Sequence, residues 1–361
     1  MVLCAIPLGP SLAQDSCKAP EPVCTARASV FALSSAFDPY ASAVRIDTDL
    51  LVTNRHSVAD ETDVKITLSS GEKIPGSVVP TSYGGDLVLI RAKLPAGQVL
   101  KPGGVAEGDL YTIGQEIGVR RIRVFPKGTV LLGADMSKPH ARLHHTAYNQ
   151  PGVSGGAVLN AKGEFVAIAT SGGAGRFEAI PVARIDALQT LSGANHDRAS
   201  AKIGKAYRDC ITDVEQATRV RDTLPDDIAA RIEKSCSVTG NRQLFDLAGQ
   251  VLGRARRLDR SLDFFHRSLE KDPNAINSRI GLVITLMFAQ KNNEAVPHVR
   301  WLMDTVPQSA EAQRYAVHIG KRAGNMSLAR DGLALVKKYN PAQYEAAKRF
   351  IETKLPPRRI R

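Results

Sequence analysis

His56, Asp86 and Ser154 are the residues of this 361-residue chain whose types and settings could do chemistry together. His56 follows the apolar run Leu51-Val52-Thr53, and Asp86 stands between Gly84-Gly85 and the run Leu87-Val88-Leu89-Ile90. Ser154 lies in Pro151-Gly152-Val153-Ser154-Gly155-Gly156. A serine hydroxyl is a poor nucleophile near neutral pH and needs a base within hydrogen-bond reach. Imidazole has the pKa for that task. It must present the right tautomer and then carry a positive charge, and a carboxylate on its far nitrogen secures both. Glycines around the serine let the backbone turn sharply, so that amide N–H groups can point at a developing oxyanion. The amides of Gly152 and Ser154 are the candidates, and losing one such donor costs about 3–4 kcal/mol. Each residue alone has an ordinary structural reading: a histidine after a strand, an aspartate at a strand start, a serine among glycines. Their conjunction, in order and each at a strand edge, favours acyl transfer through a serine nucleophile.

Two textures position these residues. Before about residue 195, short β-branched runs (42–46, 50–53, 64–68, 76–80, 87–92, 112–119, 129–132 and 165–169) alternate with Gly, Pro, Asn and Asp. Such spacing predicts an all-β barrel or sandwich. The chain order His, Asp, Ser is that of the chymotrypsin barrels. Likeness to those barrels implies two six-stranded halves, divided here near residue 105, the first giving base and carboxylate, the second nucleophile and oxyanion hole. After residue 195 the apolar positions recur three and four apart, which predicts helices. Pro273, Pro307 and Pro341 stand 34 residues apart. Small and bulky residues recur before each: Gly249, Ser261, Phe265 and Ser268, then Ala295, Val299 and Leu302, then Ala329, Leu333 and Val336. That period predicts a helical array like the tetratricopeptide repeat. The expected organisation is a signal-peptide remnant over 1–14, a peptidase-like double barrel over 15–195, a linker or docking approach near 192–200, and an all-α repeat domain over 201–361.

Thr53-Asn54-Arg55-His56-Ser57-Val58, Gly85-Asp86-Leu87-Val88-Leu89 and Gly152-Val153-Ser154-Gly155-Gly156-Ala157-Val158-Leu159 resemble the motifs of trypsin-like serine peptidases, most of all the bacterial HtrA/Deg branch. The resemblance covers about residues 28–190, with Gly163–Ile168 and Arg176–Pro181 resembling the later strand and return strand. It implies a chymotrypsin-like fold and a serine endopeptidase, with His56 as general base, Asp86 as its orienting carboxylate and Ser154 as nucleophile. It also implies that Ala169-Thr170-Ser171 lines the primary pocket and pairs with the substrate backbone. Tyr148, six residues before Ser154, falls near the pocket floor where a preference for Arg or Lys would need an acid. Small or medium apolar substrate side chains are therefore expected. The chain departs from the family in three places: Val153 replaces Asn or Asp, Ala157 replaces Pro, and the loop 149–152 is one residue longer. No PDZ domain follows, and the repeats stand in its place.

Composition bounds the rest. Cys17, Cys24, Cys210 and Cys236 form two local pairs, as a disulfide framework in an oxidising compartment would. Each closed loop stabilises by about 2–4 kcal/mol. With the apolar start Val2–Leu12 and the signal-like Ser11-Leu12-Ala13-Gln14, they predict a secreted or periplasmic protein. The net charge of +12 is lopsided: residues 1–200 hold 19 Lys/Arg against 18 Asp/Glu, and residues 201–361 hold 29 against 18, ending Pro357-Arg358-Arg359-Ile360-Arg361. This basic half could meet acidic proteins or anionic surfaces. No nucleic-acid-binding motif accompanies it, and no later stretch reaches the ~20 apolar residues of a membrane span. His140, His144 and His145 lack acidic or cysteine partners at ligand spacing, so no metal is expected there, and a triad of this kind needs no cofactor. The expected partners are a protein or peptide substrate in the barrels and a protein on the repeats. The competing readings are a latent or inactive protease-fold scaffold, and an esterase using the same triad.

Overall fold

The β-branched runs pair as antiparallel strands in the computed structural model, which describes residues 17–105, 108–220 and 223–354. The expected signal remnant and the basic end Pro357–Arg361 lie outside the described residues. After a short helix, α1 (Glu21–Ala26), come β1 (Val30–Ser34), β2 (Ala41–Arg45), β3 (Leu50–Thr53), β4 (Asp63–Thr67), β5 (Lys73–Val79) and β6 (Val88–Ala92). These six close into a barrel in the order β1-β2-β3-β6-β5-β4. Its inward side chains, among them Leu33, Leu51, Ile66, Val88 and Ile90, are buried together. The register Thr53↔Val88 sets the end of β3 beside the start of β6. His56 leaves one strand just where Asp86 enters the other.

The second half contains β7 (Leu110–Glu116), β8 (Arg121–Val124), β9 (Val130–Leu132), β10 (Leu143–His145), β11 (Ala157–Asn160), β12 (Phe165–Gly173) and β13 (Arg176–Pro181). They form a seven-stranded sheet in the order β8-β7-β11-β12-β13-β10-β9, not the six-stranded half expected. The extra strand is β8, which among the described residues pairs with β7 alone; a bridge between Leu110 and Gly128 curls the sheet back beside β9. A second core of Val153, Val158, Ala167, Ala169 and Ala179 fills this half. The β12–β13 hairpin turns at Ala174 and Gly175, with φ of +51° and +75°, as a two-residue turn between twisted strands requires.

Helix α2 (Arg184–Thr190) and a 3-10 turn over Ala194–His196 lead straight into α3 (Asp197–Arg219). The segment 192–200 is thus an approach to a helix, not a free linker. α3 and α4 (Asp226–Thr239) form a hairpin bonded through Cys210–Cys236, and Cys17–Cys24 staples the turn into α1. Three helix pairs follow: α5 (Arg242–Arg254) with α6 (Leu258–Lys271), α7 (Ile276–Phe288) with α8 (Asn292–Thr305), and α9 (Ala310–Arg322) with α10 (Met326–Tyr339). A last helix, α11 (Tyr344–Glu352), closes the described array. Successive pairs begin at Arg242, Ile276 and Ala310, each 34 residues on. Ser261, Ala295 and Ala329 are the fully buried small residues at one repeat position. Pro273, Pro307 and Pro341 stand just past the second helix of each pair, where a residue without an N–H ends helices.

The helices do not hang free of the barrels. Ala59 of the first barrel joins the core of α3–α6, and Leu131 and Leu132 at β9 pack on the core of the later pairs. Arg208 of α3 pairs with Asp60 and, at 2.6 Å, with Glu61.

Candidate active site

Asp86 is sealed from solvent and accepts three hydrogen bonds. His56 N donates at 2.9 Å, His56 Nδ1 lies 2.7 Å from Oδ2, and Thr170 Oγ1 donates at 3.0 Å. Burial alone would raise its pKa, but the His56 charge and these bonds, with Arg142 beyond, hold the carboxyl below its ordinary range. An ionised carboxylate only accepts, so Nδ1 carries the ring proton and Nε2 is left basic. For His56, burial disfavours the charged ring. Asp86 by charge and hydrogen bond, helped by the charge of Asp38, outweighs it and lifts the pKa above 6.5. Two further contacts fix the pair: Asn54 Nδ2 donates to Asp86 O at 3.0 Å, and Arg55 N to the same oxygen at 3.3 Å.

Ser154 sits on a tight turn. Val153 N donates to Gln150 O at 3.1 Å, with Pro151 and Gly152 between and φ of +93° at Gly152. Proline then glycine with positive φ is the chemistry of a type II turn. Among the described residues the amides of Gly152 and Ser154 have no protein acceptor. Ser42, from β2, holds the turn from the other barrel. Its hydroxyl donates to Gly152 O at 2.8 Å and accepts from Gln115 N at 2.8 Å, while its amide donates to Ser154 O at 2.8 Å. A Cβ at Gly155, where φ is +82°, would run into Ser42 O and Thr53 Oγ1. Only glycine lets the two barrels meet there. Val153, where the family carries Asn or Asp, turns into the second core and is fully buried.

Ser154 Oγ donates to Thr170 O at 3.2 Å, and no hydrogen bond joins it to His56 among the described residues. Thr170 thus touches both parts, its hydroxyl on Asp86 and its carbonyl on Ser154. This corrects its expected place in the pocket lining: its side chain is 3% exposed and supports the carboxylate. Ala169 is corrected too. Its amide donates to Gly156 O and its carbonyl accepts from Gly155 N, both at 2.9 Å, so it has no backbone group left for a substrate. The open edge of β12 begins at Thr170. The hydroxyl of Ser171 turns from the substrate edge toward Arg142 and Glu178, at 2.8 and 3.2 Å.

Tyr148 is 44% exposed rather than set in a pocket floor. Its ring lies 5.9 Å from that of Phe177, a buried residue that sequence reasoning did not single out. Phe177 stands opposite Gly172 in the β12–β13 register, and a Cβ at Gly172 would touch it. The fully buried His145 lies 6.1 Å from the same ring, and burial, with His144 beside it, pushes it down to about 4. His144 reaches Asp272 at 3.2 Å, and His140 lies in the loop before β10. Among the described residues no three His, Cys, Asp or Glu side chains gather as a metal site.

A family model described as a trypsin-like peptidase domain matches residues 41–168. Nothing among curated proteins matches the chain. Among solved structures it is similar to the inactive form of the Rv3671c protease from M. tuberculosis H37Rv, at 17% identity and a TM-score of 0.41, covering 50% of this chain and 100% of that one. It is similar to the HtrA-type protease AlgW with tripeptide, at 23% identity and 0.42, covering 47% of this chain and 62% of that one. It is also similar to the serine endoprotease from Yersinia pestis, at 20% identity and 0.40, covering 47% and 64%. Residues 41–168, from β2 into β12, thus match a trypsin-like peptidase domain, and they lie in the chymotrypsin-like arrangement of a six-stranded barrel followed by a second sheet.

Proposed function

We propose that the protein is a secreted or periplasmic serine endopeptidase that cuts polypeptide through His56, Asp86 and Ser154. The observation that carries this reading is Asp86 pinning His56 Nδ1 at 2.7 Å, while Ser154 stands on a turn with two unengaged amides. A peptide lying along β12 gives its N–H to Thr170 O and displaces the Ser154 hydroxyl, which turns to His56 Nε2. His56 takes the proton as Oγ bonds to the carbonyl carbon, and the oxygen becomes an anion facing Gly152 N–H and Ser154 N–H. Collapse breaks the C–N bond, and the imidazolium gives its proton to the departing amine. Water then repeats the sequence on the acyl-enzyme: His56 takes its proton, the acyl–oxygen bond breaks and Ser154 regains its hydrogen.

The two disulfides favour an oxidising compartment. No described helix is long and apolar enough to cross a membrane. The 34-residue pairing of α5–α10 supports a tetratricopeptide-like array that binds protein.

A fluorophosphonate probe tests the nucleophile: labelling is expected in the native chain and absent in Ser154→Ala. Turnover of casein then separates peptidase from esterase. The resting bond from Ser154 to Thr170 O favours a second reading, a latent protease-fold scaffold, and absence of labelling under all conditions would decide for it.

Phe177 restricts the acyl-side residue to small side chains. Phe177→Ala is expected to raise kcat/KM for a leucine peptide relative to an alanine peptide by roughly tenfold, the scale of a few methylenes in an apolar pocket. An unchanged ratio would remove Phe177 from the specificity site.

A further inference from the structure

We propose that the concave face of the helix pairs continues the substrate channel, taking the extended segment about four to eight residues upstream of the scissile bond. This rests on the peptidase reading above and adds where the rest of the substrate goes. Neighbouring residues of an antiparallel strand turn their backbone groups to opposite sides. A bulge between Ala169 and Ser171 turns Thr170 O toward Ser154 on the side where Ala169 already bonds, and past it Gly172 lies two residues on along the same open edge, opposite Phe177 of β13. A peptide laid antiparallel on this edge runs its N-terminal side past Gly172 at about 3.3 Å per residue.

That path leads into a groove of about 640 Å³, walled on one side by Ser171–Ala174 and on the other by α5 and α7. The groove and the strand edge share residues, so an upstream segment leaving Gly172 meets the helices before it reaches bulk water. Leu247, Ile280 and Ile284 give an apolar floor, and Gln243 and Gln250 give carboxamides that can both donate to and accept from a peptide backbone. Gln243 Oε1 already lies 3.4 Å from Thr170 Oγ1, which brings the first turn of α5 to the catalytic cluster. Of the charged residues that line it, Arg176 pairs with Glu311 and Asp246 with Arg242 behind the wall, and Arg254 adds a cation at the far end of α5. The occupant suited to such a groove is an unfolded polypeptide with apolar side chains at alternate positions, and the continuity with β12 makes that occupant the substrate itself rather than a separate adaptor.

The test uses the full chain and a casein-derived peptide whose cleavage site has been mapped, made with three or with eight residues upstream of that site. The longer peptide is expected to show kcat/KM at least about tenfold higher. Ile284→Arg, and Gln250→Trp at an exposed groove position, are expected to abolish that gain, while the short peptide reports the catalytic centre separately. Equal rates for the two lengths, or a gain that survives both substitutions, overturns the proposal. If neither peptide is cut and no fluorophosphonate label attaches, the peptidase reading has failed. Anisotropy of the fluorescein-labelled long peptide on Ser154→Ala then judges the groove: binding lost with Gln250→Trp supports it, and binding indifferent to that change overturns it.

Discussion

Asp86→Asn is expected to lower kcat by about 10⁴-fold on any peptide the native chain cuts, with the fold intact. Asparagine fits the space and accepts one hydrogen bond, but its amide can also donate to Nδ1, which would then hold no proton. The imidazole would present Nε2–H to Ser154 and could not act as base. The pH profile checks the cause independently. The proposed mechanism needs neutral His56, and Asp86 with Asp38 raises the His56 pKa against burial. The rising limb of kcat/KM in the native chain should therefore be centred above 6.5, and in Asp86→Asn it should move down. Stability carries the opposite sign. With the His56 pKa raised in the folded state, its contribution is full below the unfolded value near 6.5 and is lost as pH rises through the folded value. Asp86 behaves conversely: its contribution is present above the unfolded value of 3.8 and is lost as pH falls through the folded one. An Asp86→Asn chain keeping a tenth of native kcat would show that the carboxylate does not set the tautomer.

What the residues disclosed in advance was local. His56 and Asp86 could be read from strand-edge positions because β3 and β6 are continuous apolar runs, and adjacent strand ends must meet. Ser154 announced itself through glycines that the crowded turn cannot replace. The helix pairs were legible because stacking demands a small residue at a fixed place, and Ser261, Ala295 and Ala329 supply it. The rest depends on contacts between distant parts of the chain. Ser42 reaches Gly152 across 110 residues, and Thr170 reaches Asp86 across 84. A lone hydroxyl in a strand gives no sign of such a partner. β8 reads Arg121-Ile122-Arg123-Val124, too short and too charged to stand out from a loop, and it is a strand because β7 offers a ladder beside it. The docking of the helices on the barrels was hidden for a similar reason. Arg142, Glu178 and Arg242 look like surface charges in the sequence, and only the opposing partner buries them.

Glu178→Ala is expected to cost about 3–5 kcal/mol and to uncouple the helices from the barrels, because it leaves two guanidinium groups together in a dry interface. Glu178, on β13, takes Arg142 at 3.1 Å and also pairs with Arg242 of α5; the three side chains are 1–4% exposed. Arg242 extends the network to Asp246 at 3.2 Å and Asp272 at 3.7 Å, and His144 meets Asp272 at 3.2 Å. Burial, with Arg142 nearby, pushes the Arg242 guanidinium down to about 10, so it stays charged at neutral pH and needs its carboxylates. Burial raises the Asp246 carboxyl, while for Asp272 the effect of burial is overcome by His144 and Arg242, which hold it low. Removing Glu178 takes away the one carboxylate among the described residues that pairs with both guanidinium groups; Asp272 meets Arg142 only at its backbone amide. Glu178→Gln, which keeps the volume and an acceptor but not the charge, should fall between alanine and native. Urea unfolding followed by circular dichroism checks this: one transition in the native chain should become two in Glu178→Ala, with the first at lower urea. Ser171 Oγ lies 3.2 Å from Glu178, so the same change should also loosen β12 beside Thr170 and slow peptide turnover without moving the pH limb set by His56. A single transition displaced by less than about 1 kcal/mol would mean that apolar contacts such as those of Ala59, Leu131 and Leu132 hold the halves together, with the buried charges merely accommodated.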